Sequence, residues 1–238
     1  MSVLMVTGTG TGVGKTVVTA ALAATARATG RSVAVLKAAQ TGVRDDEPGD
    51  VDEVARLAGP LTTTELARYR EPLAPATAAR REGRAPVRPG RIAAAASELA
   101  EVHDLVLVEG AGGLLVRLDA EGGTLADVAG LLRAPVLVVT QAGLGTLNAT
   151  ELTARELRSR GLELPGLVIG SWPEPADLAA RCNLADLPDV TGAPLLGAVP
   201  AGAGELAPAA FRAAAADWLA PRLGGRWDTA VFRAGRAL

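Results

Sequence analysis

The strongest constraint on this chain is a glycine-rich stretch close to its start. Residues 8–16 read Gly-Thr-Gly-Thr-Gly-Val-Gly-Lys-Thr, between the apolar run 3–6 and the Ala-rich run 17–23. That order predicts strand, loop, helix. Glycines tolerate φ > 0 and leave their backbone N–H groups open to an anion. A helix N-terminus adds partial positive charge at the same place. Lys15 brings a full charge for terminal phosphates, and the Thr16 hydroxyl suits a divalent cation. The expectation is a nucleoside-triphosphate site at the opening of an α/β domain. The spacing departs from G-x-x-x-x-G-K-[ST]: Thr9 stands where the first glycine belongs, with Gly8 one residue earlier.

A length of 238 residues admits one large domain or two small ones. Hydrophobic residues make up 49% but aromatics only 3%, so the expected core is aliphatic and Ala-rich. A net charge of −2 offers no basic excess for a nucleic-acid partner. The single cysteine, Cys182, excludes an internal disulfide framework and a cysteine-rich metal site, and fits a reducing cytoplasm. No secretory apolar segment precedes the first strand. Apolar runs break well short of the roughly 20 residues of a membrane span. These features predict a soluble cytoplasmic enzyme with no membrane partner.

Further buried-strand candidates are residues 32–36, 104–108, 135–140, 166–170 and, more weakly, 195–200, separated by Ala-rich helical stretches. Near-continuous apolar strands between helices imply a parallel sheet covered on both faces. The expected fold is a single α/β domain over residues 1–224, doubly wound around a mostly parallel sheet, with a tail at 225–238 of uncertain order. Polar groups and glycines gather where strands stop: Lys37 with 40–42, Glu109 with 110–113, and the 140–148 segment. Ligands of open parallel sheets bind beyond the strands' carboxyl ends, so these segments are expected to share one crevice.

Glu109 closes an otherwise uncharged strand, where packing explains a carboxylate poorly; near a phosphate loop it suits Mg²⁺, the alternative being a helix-capping or surface glutamate. Lys37 closes its strand similarly and can meet phosphate or carboxylate, or snorkel. Thr41 is open to a polar substrate or to a turn. Asp50 cannot be singled out from Asp45, Asp46, Glu47 and Asp52 by sequence. The 143–148 turn opens a helix whose amides suit a carboxylate, or is an ordinary turn with Thr146 as N-cap. His103 and Cys182 read as structural, and the arginines at 80–91 as a solvated surface between two helices.

Taken together, residues 7–16, Lys37 with 40–42, 108–113 and 144–148 resemble the dethiobiotin synthetases of biotin biosynthesis, in order and spacing to about Pro200. The Gly8-to-Gly14 spacing belongs to that family's phosphate loop. The resemblance implies an ATP- and Mg²⁺-dependent ligase acting on 7,8-diaminopelargonic acid and CO₂ or bicarbonate. One amine forms a carbamate, the carbamate attacks the γ-phosphate, and the second amine closes the ureido ring. It assigns catalysis to Lys37 and Lys15, and Mg²⁺ to Thr16, Asp50 and Glu109. Nucleotide contacts fall to Thr11, Gly12, Val13, Gly14, Lys15, Thr16 and Val17, with the base near Gly170, Ser171, Pro200 and Gly202. Substrate contacts fall to Lys37, Thr41 and Gly112, and to Leu144, Gly145, Leu147 and Asn148 of an opposite subunit. A homodimer follows.

The chain departs from that pattern in places. Ala38-Ala39 replaces a usual Pro-Val, removing a backbone restraint beside Lys37. Ser171-Trp172 stands where many members carry an asparagine, removing an amide from the base region. Gly10 and Gly12 replace acidic residues of some members. Two other protein classes carry similar phosphate loops. ParA/MinD-like positioning ATPases carry an extra lysine where Gly10 stands. Cobyrinate-type synthetases need a glutaminase domain with a catalytic cysteine that Cys182 does not supply.

Overall fold

The five apolar runs that follow the first become strands, and the polar punctuation between them becomes the crevice. The computed structural model describes residues 2–235. In chain order the elements are β1 (Val3–Gly8), α1 (Lys15–Ala28), β2 (Val33–Lys37), β3 (Gln40–Thr41), α2 (Asp50–Ala58), β4 (Thr62–Glu65), β5 (Arg68–Tyr69), α3 (Pro75–Glu82) and α4 (Pro89–Ala100). There follow β6 (Leu105–Gly113), α5 (Leu125–Leu132), β7 (Val136–Thr140), α6 (Thr146–Ser159), β8 (Leu167–Trp172), α7 (Leu178–Thr191), β9 (Leu195–Pro200), α8 (Pro208–Ala214) and α9 (Thr229–Ala234).

Seven strands form one sheet in the order β4-β2-β6-β1-β7-β8-β9, every pairing parallel. All residues of β2 and β7 are buried, as are the first six of β6. Successive side chains point to opposite faces, so both faces are covered, as the continuous apolar runs require. α1 packs with α2 and α8, α4 with α5, and α6 with α7. Alanines such as Ala20, Ala21 and Ala23 of α1 are fully buried, which lets helices lie close to the sheet. Among the described residues no helix is long and apolar enough to cross a membrane.

Three features differ from the sequence reading or extend it. Edge strand β4 has no apolar run, being Thr-Thr-Thr-Glu and partly exposed; β-branched threonines suit a half-solvated edge, which periodicity does not signal. β6 runs on through its glycines to Gly113. The N-cap of α6 is Gly145, at φ 86°, rather than Thr146, whose buried hydroxyl donates to the Gln141 carbonyl at 2.8 Å.

Other readings hold. Arg80, Arg81, Arg84, Arg88 and Arg91 are exposed around the α3–α4 connection. His103 bridges the Leu99 carbonyl and the Thr62 hydroxyl, both at 2.9 Å, pinning β4 to the end of α4. The tail packs on the body through Trp227, which is buried, and Phe232, whose ring meets Trp172 edge-on at 5.2 Å. Residues 236–238 of that tail lie outside the described residues.

Candidate active site

The loop between β1 and α1 needs glycine at two points for different reasons. Gly12 and Gly14 have φ of 73° and 94°, the left-handed region closed to most side chains. Gly14 is also pressed against β8: a Cβ there would lie 2.4 Å from the Gly170 carbonyl oxygen. The reverse holds too, since a Cβ on Gly170 would lie 2.0 Å from the Val13 carbonyl oxygen. Two glycines face to face thus seat the loop on the sheet. The N-cap of α1 is Gly14, and no side chain caps its first-turn amides.

Lys15, the first residue of α1, is buried and donates to the Gly10 carbonyl at 3.0 Å. Burial, and then the neighbouring Lys37 charge, push its pKa below the ordinary lysine value, against the opposing pull of Glu109 and Asp50. An anion arriving at the loop relieves both costs.

Parallel register sets Lys37, the last residue of β2, directly beside Glu109 of β6. The Lys37 ammonium donates to Glu109 Oε1 at 2.8 Å and to the Gly110 carbonyl at 3.0 Å, and lies 2.5 Å from Asp50 Oδ2. Its burial alone pushes the pKa down. The Glu109 and Asp50 charges and hydrogen bonds outweigh that and hold it above the ordinary value, so it stays an ammonium. Glu109, 1% exposed, also accepts from the Thr16 hydroxyl at 3.1 Å and the Thr19 hydroxyl at 2.7 Å. Asp50 opens α2. Desolvation raises its pKa, but the charge and hydrogen bond of Lys37, with hydrogen bonding to Thr16, outweigh that and lower it, and the carboxylate stays ionised.

Lys15, Thr16, Lys37 and Asp50 border one cavity of about 730 Å³, with Glu109 buried behind Lys37 and Thr16 rather than on its wall. Its lining includes Thr11, Gly12, Gly14, Lys15, Thr16 and Val17 from the loop and α1, then Lys37, Thr41, Asp50 and Gly112. The ends of β1, β2 and β6 therefore open into one crevice, while the 140–148 segment after β7, expected to join them, does not line it. Val13 is buried beneath the loop. The Ala38 N–H donates to the Glu109 carbonyl at 3.1 Å, so the chain beside Lys37 is tied down without the proline.

Thr16, Asp50 and Glu109 offer a hydroxyl and two carboxylates, hard oxygen donors that suit Mg²⁺. Among the described residues no group of three or more His, Cys, Asp and Glu side chains gathers for a metal. A two-carboxylate set is what Mg²⁺ uses when phosphates and water complete its shell.

Comparison with known proteins fixes the family. Residues 2–204 match the family described as an AAA domain. An ATP-dependent dethiobiotin synthetase BioD of Streptomyces coelicolor is 77% identical over 232 residues, 98% of each chain. The chain belongs to the dethiobiotin synthetase family. The like-named protein of Saccharopolyspora erythraea is 70% identical over 96% of this chain and all of its own. Among solved structures, the septum site-determining protein MinD of Pyrococcus horikoshii, complexed with Mg-ADP, has a TM-score of 0.57. It is 18% identical and covers 91% of this chain and 95% of its own. A ParA family ATPase of Chlorobium tepidum has a TM-score of 0.56 at 15% identity, over 89% and 90%. At that identity the likeness is of fold alone.

Besides the buried Val13 and Glu109, two groups of residues named by the resemblance lie outside the cavity of this synthetase-family chain. Gly170, Ser171, Pro200 and Gly202 stand at the ends of β8 and β9, with Gly170 pressed against the loop. There the Ala201 N–H donates to the Trp172 carbonyl at 2.8 Å, and Trp172 itself is buried against the tail. Leu144, Gly145, Leu147 and Asn148 open α6, with Leu144 88% exposed. Sequence reasoning gave no role to Gln40 or to the 72–75 wall (Pro72, Leu73, Ala74, Pro75), both of which line the cavity. Pro72 ahead of α3 and Pro75 at its first position are the signal that could have flagged the wall.

Proposed function

We propose that the chain closes the ureido ring of dethiobiotin from 7,8-diaminopelargonic acid, CO₂ and ATP, with ADP and phosphate as co-products. The family assignment supports the overall activity. The observation that carries the chemistry is the pair of lysine ammonium groups, Lys15 and Lys37, on one cavity beside two carboxylates.

Carbamates are poor nucleophiles and lose CO₂ readily, so positioning and charge neutralisation dominate such a reaction. In this reading the amides of the Thr11–Thr16 loop hold the phosphates. Lys15 faces the β- and γ-phosphates. Lys37, kept protonated by its two carboxylate partners, holds the carbamate against the γ-phosphorus and steadies its charge. Thr41, on the same cavity, orients the carbamate. Thr16, Asp50 and Glu109 would hold Mg²⁺, which supplies charge neutralisation at the transferring phosphoryl group. A carbamate oxygen attacks phosphorus and ADP leaves. The second amine then attacks the carbamate carbon and phosphate leaves with the bridging oxygen.

The base would lie along Ser171, Pro200 and Gly202, next to the seated loop. The diamine's carboxylate would meet the α6 opening of a second subunit, through Leu144, Gly145, Leu147 and Asn148. That arrangement needs a homodimer, and the exposure of Leu144 supports it. We place the catalytic domain at residues 1–224, with the tail as an appended packing element.

Purified protein given ATP, Mg²⁺, bicarbonate and 7,8-diaminopelargonic acid should form dethiobiotin, detected by mass spectrometry with one ADP per product. ATP consumption that ignores the diamine would refute the reading.

A further inference from the structure

Asp50 reaches Lys37 from an unpromising position. It follows a polar stretch, 43–49, whose neighbouring acids Asp45, Asp46 and Asp52 are exposed. Something must bring this one carboxylate to the cavity. Three side chains converge on the residue just before it. A Cβ built on Gly49 would lie 2.8 Å from Arg68 Nη2, 3.0 Å from Glu65 Oε2 and 3.1 Å from Gln40 Oε1. Gly49 has φ −101° and ψ −171°, extended backbone open to any residue. A side chain here would push the ends of Arg68, Glu65 and Gln40 aside, so glycine serves for room, not for conformation.

Gln40 and Arg68 hold the segment directly, and Glu65 holds Arg68. Gln40 Oε1 accepts the Asp50 backbone N–H at 2.9 Å, satisfying one of the free amides at the start of α2. Arg68 forks onto Glu65 at 2.6 and 2.9 Å and donates to the carbonyls of Arg44 at 2.9 Å and Glu47 at 2.6 Å. The sheet sets their positions: Gln40 pairs with Arg68 across β3 and β5, and Glu65 of β4 stands in register with Lys37 of β2. Gln40 is itself buried and borders the cavity.

We propose that Gln40, Glu65 and Arg68 form a cradle that seats Gly49 and thereby positions the Asp50 carboxylate for the divalent cation and for Lys37. This rests on the proposed role of Asp50. The three are positioning residues, set one step back from the reacting atoms. Outer-shell partners of this kind typically carry about 10- to 100-fold in metal affinity or activity.

The test uses Gln40→Met, which keeps length and removes the acceptor, and Gly49→Ala, which keeps every cradle side chain and fills the space they leave. Mn²⁺ binding to the ADP-loaded protein, followed by electron paramagnetic resonance, needs no turnover. Both variants should bind Mn²⁺ about tenfold or more weakly and lose kcat by a similar factor. KM for the diamine, ADP affinity in EDTA and melting temperature should stay close to those of the unaltered chain. If Gln40→Met fails to fold, Gly49→Ala carries the test alone. Mn²⁺ affinities within about twofold of the unaltered chain would overturn the cradle, as would a loss confined to the diamine's KM, which would make Gln40 a substrate contact. Absence of ring closure in the unaltered chain would refute the functional reading, while Mn²⁺ binding would still judge the cradle.

Discussion

Lys37 is where stability and chemistry meet. Its ammonium is the shared counter-ion of Glu109, which is buried, and Asp50, which is partly so. Removing one member of a buried ion pair leaves the other charge uncompensated, at a cost of about 3–5 kcal/mol. Lys37→Ala should therefore lower stability by about that much in chemical denaturation, abolish ring closure and leave ADP binding intact. Mg²⁺ with ADP should restore much of the stability, because a cation then faces the orphaned carboxylates. Full activity in that variant would remove Lys37 from the mechanism. The pH dependence follows from the two shifts. The Asp50 pKa lies below its ordinary 3.8, so its contribution is whole above that value and is lost as pH falls through the folded-state value. The Lys37 pKa lies above its ordinary 10.5, so its contribution is whole below that value and is lost as pH rises through the folded-state value. The stability gap between Lys37→Ala and the unaltered chain should narrow as pH falls from about 9 to about 5 in denaturant midpoints, because without Lys37 burial raises the Asp50 pKa and the folded variant takes up a proton that relieves its uncompensated charge.

Elements transmit the site's shape through backbone contacts as much as through side chains. Gly170→Ala would drive a Cβ to 2.0 Å from the Val13 carbonyl and 2.6 Å from Val139 Cγ1, in a fully packed layer. Overpacking of this kind costs about 1–3 kcal/mol, and here it lifts the phosphate loop off β8. ADP affinity by fluorescence titration should fall about tenfold or more, the scale of a lost 1.4 kcal/mol, and unchanged affinity would show that the loop is not seated there. Trp227→Ala, by contrast, should cost about 3 kcal/mol of stability and leave the Mg²⁺ dependence untouched. The legibility of these elements divides along physical lines. Apolar strands and the glycine loop announce themselves because burial and positive φ leave few residue choices. Lys37 and Glu109 were visible as charges ending uncharged strands. Asp50 was not, because nothing local separates it from Asp45 or Asp52; only Gln40, Arg68 and Glu65, brought in from other strands, do so. β4 was hidden because an edge strand of threonines has no buried face to leave a pattern.

At the scale of the whole molecule, the sheet order sets the crevice. β1 lies between β6 and β7, so the phosphate loop faces Glu109 and Gly112 on one side and the α6 opening lies beyond β7 on the other. A substrate spanning Lys37 and the α6 opening needs two copies of the chain in this reading. Lys37→Ala and Asn148→Ala chains, each impaired alone, should recover about a quarter of full activity when refolded together, since half the dimers are mixed and hold one intact site. No recovery would mean that each chain acts by itself. The central claim is narrower: a carbamate oxygen, held by Lys37, attacks the γ-phosphorus. A single turnover begun with ¹⁸O-labelled CO₂ tests it most directly. The account requires one labelled oxygen in the released phosphate and one in the ureido carbonyl; phosphate free of label would contradict it.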